Sequence, residues 1–303
     1  MRRNGFFSPA RILVIAGHTF THLVRMKVFY FLAVFAILML AMSYFEGPWS
    51  RAADDSAEQV LIDIKGWASG AMLIFSIIIA IASTALLIPK DLEDRTLYTI
   101  LSKPVPRFDY LLGKLLGVFC LIGISLLLMD VMLSVILHYR TEQLLVEEME
   151  IAKALKWPKE YVETRYADIS SQGVTWSLQA GIGALFMKAC IMAAIALLIS
   201  TFSSSTLFTI VISVVIFCIG HFTADARNYW LHTSGKDASK HVKFLSQAAA
   251  LVFPDFQLFN INDATNKGKV ISPDLFVHLV KLTFFYTGIY SILAWFTFRK
   301  KEF

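Results

Sequence analysis

The sequence predicts an all-α polytopic membrane protein, with one N-terminal interfacial helix, six transmembrane helices and both termini cytoplasmic. Three observations carry this expectation. Hydrophobic residues make up 56% of the 303 residues and charged residues only 17%, against roughly 45–50% and 25% in soluble domains. Apolar stretches long enough to cross a bilayer recur along the chain. Lys and Arg gather in alternate connections between those stretches. A mean hydropathy of +0.61 leaves too much apolar surface for one water-soluble core and far too much for disorder.

The N-terminal element begins at Ser8-Pro9, a cap residue followed by a proline suited to the first helical position. Ile12, Leu13, Ala16, Phe20 and Leu23 then recur at helical spacing, with Arg11, His18 and His22 on other faces. The pattern predicts an amphipathic helix over 9–24, lying along the cytoplasmic interface. The basic start at Arg2-Arg3 runs into further charges without a cleavable apolar core, so the segment is expected to be retained.

A span needs about 20 mostly apolar residues. Residues 28–45 and 66–89 carry no charge between Val28 and Phe45 or between Gly66 and Pro89; 115–137 carries Asp130 alone. Residues 178–200 are apolar apart from Lys188, 207–222 follow a Ser-rich break, and 275–298 close the series. The whole chain, 1–303, thus reads as a single transmembrane domain. The segments 1–27, 89–114 and the tail after Phe298 are rich in Lys and Arg, whereas 46–65 holds only Arg51 and Lys65, which places the former inside a cytoplasmic (inner) membrane. Segments 138–177 and 223–274 become extracytoplasmic loops. Within the first of these, Thr141 to Lys156 predicts a short helix, and Trp157-Pro158 breaks it from a second.

The net charge of +5 forms no continuous basic face, so interfacial Lys and Arg explain it and nucleic acid is not an expected partner. The three cysteines, Cys120, Cys190 and Cys218, fall in apolar stretches without metal-site or disulfide spacing. His18 and His22 share a helical face, but no carboxylate or cysteine nearby completes a metal site.

The most informative segment is the connection 89–114, Pro89-Lys90-Asp91-Leu92-Glu93-Asp94-Arg95-Thr96-Leu97 onward to Lys114. Asp91, Glu93 and Asp94 suit the first turn of a short helix, where the backbone dipole favours negative charge. Leu97, Ile100 and Leu101 give that helix an apolar face, and Pro104 and Pro106 end it. A stiff charged helix at the membrane surface is suited to receive a push from a soluble partner.

The run Glu93-x-x-Thr96-Leu97-x-x-Ile100-Leu101-Ser102-x-Pro104-Val105-x-Arg107, followed by Leu112-Gly113-Lys114, resembles the signature of type-2 ABC transporter permeases. The chain departs from that pattern at Arg95, where the family usually has Gly. The resemblance implies an interfacial elbow helix, six spans and a coupling helix between spans two and three. It further implies a permease subunit, working as an exporter, paired with a second permease that is identical or homologous. Glu93, Asp94, Arg95, Thr96, Leu97, Pro104 and Arg107 would then couple it to separate ABC ATPase subunits. ATP and magnesium would sit on those ATPases, with no cofactor on this chain. Gly113-Lys114-Leu115 is no phosphate-binding loop, since Leu stands where Ser or Thr must hold the metal.

Asp130 and Lys188 fall at mid-membrane depth, where ionisable residues are candidates for a translocation path or for a packing ion pair with each other. Gly66-x-x-x-Gly70 and Gly113-x-x-x-Gly117 permit close helix approach, within one chain or between two. An ion-gradient-driven transporter or channel is the competing class. Few intramembrane carboxylates and no visible internal repeat stand against it. An intramembrane enzyme lacks both a metal-binding motif and a nucleophile elbow. The chain is therefore read as a transport subunit and not an enzyme.

Overall fold

The computed structural model describes residues 8–26, 30, 33–34, 37–38, 57–93, 106–203, 205–232 and 254–300, with 90, 92–93, 223–232 and 300 described by backbone alone. Every regular element among the described residues is helical. The helices are α1 (Pro9–Val24), α2 (Ala57–Glu93), α3 (Arg107–Leu155), α4 (Lys159–Ser171), α5 (Trp176–Phe202), α6 (Thr206–His232), α7 (Asn262–Asn266) and α8 (Pro273–Lys300). A 3-10 turn at Phe256–Phe259 precedes α7. Four helices, α2, α3, α5 and α8, are long and apolar enough to cross a membrane, and the apolar part of α6, Thr206–Phe222, is shorter. The expected first span, 28–45, lies mostly outside the described residues; positions 30, 33–34 and 37–38 are helical.

Helix α5 is the axis of the bundle. Its sequence is rich in Ala, Gly and Ile, and nearly every residue from Ser177 to Thr201 is buried. A helix that is apolar all round has no solvent face to keep. It packs against α2, α3 and α8, with α6 and α7 on its remaining sides. Thr175 caps its start by accepting from the Leu178 amide at 3.4 Å.

Helix α1 occupies the expected residues, with Ser8 at the N-cap position and Pro9 first, although the Ser8 side chain makes no capping bond. Ile12, Ala16, Thr19 and Leu23 face α3. Leu13, counted in the apolar face from spacing alone, is 68% exposed and belongs to the other side, as does Val14. The Gly113-x-x-x-Gly117 motif explains the docking. A Cβ at Gly113 would lie 2.7 Å from Ile15, and one at Gly117 would lie 2.7 Å from Thr19 and 2.8 Å from the Ala16 carbonyl oxygen. Only glycine lets the two helices approach so closely.

The remaining expected spans sit inside longer helices. Helix α2 passes through Pro89 and ends a turn later, since proline removes the amide that would bond the Ala85 carbonyl and its ring crowds that oxygen. Helix α3 runs for 49 residues without a break, about 70 Å at 1.5 Å per residue. That is more than twice the ~30 Å hydrocarbon core. The expected loop from 138 thus begins as a continuation of the third helix. Its Glu-, Ala- and Leu-rich sequence is strongly helix-forming. Lys156 ends it in the left-handed region, φ 52 and ψ 46, and Trp157-Pro158 turns the chain into α4, where the sequence predicts the break. Arg165 of α4 pairs with Glu148 of α3 at 2.9 Å, closing a helical hairpin.

Candidate functional site

Helices α2, α5 and α8 run toward one end of the bundle, and α3 and α6 run away from it. At that end the two borders of the connection 94–105 meet the last turn of α8 and the side of α1. Asp91, on the final turn of α2, accepts from the Tyr110 hydroxyl and pairs with the Lys114 ammonium at 2.7 Å. Tyr110 and Lys114 stand at i and i+4 on the first turns of α3, so they present adjacent polar tips on one face. The ammonium also lies 5.6 Å from the centroid of the Tyr110 ring. Burial, and then the Asp91 carboxylate, push the Tyr110 phenol well above its ordinary range, which keeps it a donor.

Tyr110 stacks on Phe298 of α8 with centroids 6.0 Å apart. Arg107 donates to the carbonyl oxygens of Phe298 and Arg299, each at 2.9 Å. Those carbonyls belong to the last turn of α8, where the negative end of the helix dipole favours a cation. Phe108 meets Trp295 edge-on at 6.0 Å. On the other side, Arg11 of α1 pairs with the buried Asp109 at 3.2 Å. Four helices, α1, α2, α3 and α8, thereby meet at the two borders of that connection.

Of the residues assigned to coupling, Arg107 is described in full, and its guanidinium caps α8. Glu93 closes α2 by its backbone. Asp94, Arg95, Thr96, Leu97 and Pro104 lie outside the described residues. The sequence reading did not single out Asp91, Tyr110 and Lys114 as a group, nor Arg11 with Asp109. The available signal was polar residues at helical spacing just beyond the ends of two apolar stretches.

The two mid-membrane charges do not pair with each other. Asp130 accepts from the Gln179 side-chain amide at 3.0 Å. Lys188 is nine residues farther along α5 than Gln179, about 13 Å at 1.5 Å per residue. Its ammonium is buried between the rings of Phe217 and Phe256, 5.5 and 5.8 Å from their centroids, within the field of the Asp255 carboxylate. Asp255 and Phe256 belong to the expected loop 223–274, whose residues 254–266 fold back into the bundle. Gly220 makes the room: a Cβ there would lie 2.6 Å from Phe256 and 2.7 Å from the Pro254 carbonyl oxygen. Gly181 does the same for Asn262 and Thr265, each 2.8 Å from its ideal Cβ.

At the opposite end, Lys65 donates to Gln172 at 2.7 Å and Gln172 donates to Glu58 at 3.2 Å, which ties α2 to the chain after α4. Among the described residues no three His, Cys, Asp or Glu side chains gather as a metal site. No family model matches the chain, and no curated protein matches it.

Proposed function

We propose that the chain is the membrane-spanning subunit of an ATP-driven transporter of the ABC type, an exporter in the cytoplasmic membrane. In this reading it has six spans, with 28–45 as the first, and both termini lie in the cytoplasm. The connection 94–105 docks a separate ATPase, with Glu93, Asp94, Arg95, Thr96 and Leu97 on the docking face and Pro104 stiffening the exit. A second permease and two ATPase subunits complete the assembly.

The observation that carries the reading is the anchorage of both ends of that connection. Asp91 is held by Tyr110 and Lys114, and Arg107 is held by α8. A docking helix must transmit displacement rather than absorb it, and ion pairs, ring stacking and a helix cap at its base serve that need. Nucleotide binding and release then shift the permease between two arrangements by their differential affinity for each.

The test is affinity purification of the tagged chain from native membranes in mild detergent, followed by native mass spectrometry. An ATPase subunit is expected in the complex. Reversing charge at Glu93, Asp94 and Arg95 together should release it while the bundle stays folded. A transport-active assembly without any ATPase would overturn the reading. It would favour a gradient-driven transporter, for which the buried Lys188 with Asp255 supplies the intramembrane charges such a mechanism uses.

A further inference from the structure

One side of α2 is open among the described residues. Ile62, Gly66, Gly70, Ile74, Ile78 and Ala82 form a single i, i+4 row, and each is at least partly exposed. The row runs for about 30 Å at 1.5 Å per residue. Two hollows follow one another along it and share Ile74. The first, of about 450 Å³, lies between α2 and α7. The second, of about 300 Å³, lies between α2 and α6. Unlike the seam of Gly113 and Gly117, which α1 fills, Gly66 and Gly70 have no heavy atom within 4 Å of an added Cβ.

The chemistry of the lining changes along the row. At the amino-terminal end of α2 it holds Asp63, Asp263, Lys267 and Trp67, the last 72% exposed. Below them come Gly70, Ala71 and Ile74. The second hollow has no polar side chain, and Ile77, Ile81, Ile210, Val214 and Phe217 are among its walls. The charges stop where the uncharged stretch from Gly66 begins, so they stand at headgroup level, where tryptophan is enriched. One leaflet supplies about 15 Å of hydrocarbon, half of the ~30 Å core. That is the length of the ten residues from Trp67 to Ile77. A chain hung from headgroup level therefore ends in the second hollow.

We infer that this groove binds an amine-bearing, zwitterionic phospholipid from the leaflet at the amino-terminal end of α2. The lipid ammonium meets Asp63 and Asp263, and the phosphate meets Lys267 and the Trp67 indole N–H. One acyl chain lies along Gly70 and Ile74 into the second hollow. Asp63 accepts from Gln59 at 2.8 Å, and a carboxylate has about four acceptor positions, so it can serve the ammonium as well. An anionic headgroup would gain the lysine and face two carboxylates, which selects against it. The chain end touches Phe217, whose ring lies 5.7 Å from that of Phe256 and 5.5 Å from the Lys188 ammonium. A bound lipid thus braces the wall that holds the segment folded back into the bundle. The inference stands on the membrane-embedded helices and not on the proposed ATPase.

The experiment uses the full chain in nanodiscs of equal parts phosphatidylethanolamine and phosphatidylglycerol. One lipid or the other carries a diazirine near the end of an acyl chain, and mass spectrometry locates the labelled peptides after irradiation. The ethanolamine probe should label 74–82 and 210–217 about tenfold more than the glycerol probe. Leu127 and Leu128, exposed on α3, should take both probes equally. Asp63→Asn with Asp263→Asn should remove the preference, and Asp63→Lys with Asp263→Lys should invert it. Gly70→Leu, which meets open space within its own chain, should block both probes at 74–82 and leave α3 unchanged. Equal labelling of the groove by the two probes, or a preference that survives the paired asparagines, would overturn the inference. So would a groove that neither probe labels, because a helix from a second copy or from residues 28–45 would then cover it. Capture of an ATPase is a separate measurement, so the lipid site and the proposed function can fail independently.

Discussion

Arg107 and Phe298 are joined twice: the guanidinium donates to the Phe298 carbonyl oxygen at 2.9 Å and lies 5.9 Å from the centroid of the Phe298 ring. Residues far apart in sequence thus close the carboxyl end of α8 with a side chain from the start of α3. A charge-assisted hydrogen bond of this kind contributes about 1.5–3 kcal/mol. Arg107→Ala should speed amide exchange in the last turn of α8 without altering α5, read by hydrogen–deuterium exchange with mass spectrometry. Arg107→Lys should restore only part of the protection, because both bonds come from one nitrogen of a planar, weakly hydrated guanidinium that also lies against the Phe298 ring, and a strongly hydrated ammonium replaces that poorly. Unchanged exchange at 295–299 in Arg107→Ala would refute the cap.

The Asp91, Tyr110 and Lys114 trio predicts an order of losses. Tyr110→Phe removes one hydrogen bond to a charged group and should destabilise by about 1.5–3 kcal/mol. Asp91→Asn leaves the buried Lys114 ammonium without its counter-charge and should cost more, about 3–5 kcal/mol. Asp91→Leu with Lys114→Met should recover much of that loss, since neither charge remains. Thermal unfolding of the solubilised chain ranks the three variants. Equal losses from Asp91→Asn and the double variant would show that the pair contributes through shape alone.

Tyr110 also sets a pH dependence with a definite sign. Its phenol is raised in the folded chain above an unfolded value of about 10. The folded state therefore binds more protons above that value, and stability falls as pH rises beyond it. Below about pH 9 the contribution is constant. Unfolding temperature should fall more steeply from pH 10 to 11 in the native chain than in Tyr110→Phe. Parallel curves would mean that the phenol ionises freely.

The bundle was legible in the sequence where burial in lipid dictates composition, and less so where polar chain continues a helix. The centres of α2, α3, α5 and α8 follow from uncharged runs such as Gly66 to Pro89. The end of α3 does not, because Glu147 to Leu155 is as good a helix in water as Leu115 to Leu137 is in lipid. Spacing predicted the face of α1 except at Leu13 and Thr19, where the partner's glycines decide which side packs. Asp130 and Lys188 stood out by depth. Their partners Gln179 and Asp255 did not, because pairing across the bundle depends on how far α5 slides past its neighbours and on Gly220 admitting residue 256.

Gly117 gives the sharpest steric prediction. Its added Cβ would lie 2.7 Å from Thr19 and 2.8 Å from a backbone oxygen, which cannot rotate away. Overpacking of this kind costs about 1–3 kcal/mol or displaces an element. Gly117→Val should detach α1, exposing residues 8–26 to limited proteolysis while α5 stays protected. Gly70→Ala, in the same motif class, should leave the proteolysis pattern unchanged. Detachment of α1 by neither or by both would contradict the assignment of the two seams.

Lys188 and Asp255 make the last prediction, which concerns the segment folded back into the bundle. Phe256 and Phe259 are buried, and the field between Lys188 and Asp255 acts across low-dielectric surroundings, where charge interactions are strong. Lys188→Asp places like charges together and should drive 254–259 out of its seat. In a cysteine-free background, Phe259→Cys should be shielded from a water-soluble maleimide when Lys188 is present and labelled quickly when Lys188→Asp is added. Reversing the partner with Asp255→Lys should restore the shielding, because opposite charges again face each other. Simple loss of packing at either site would not be repaired by the second reversal. Labelling that stays fast in the double variant would mean that Phe256 against Gly220, and not the charges, holds the segment in place.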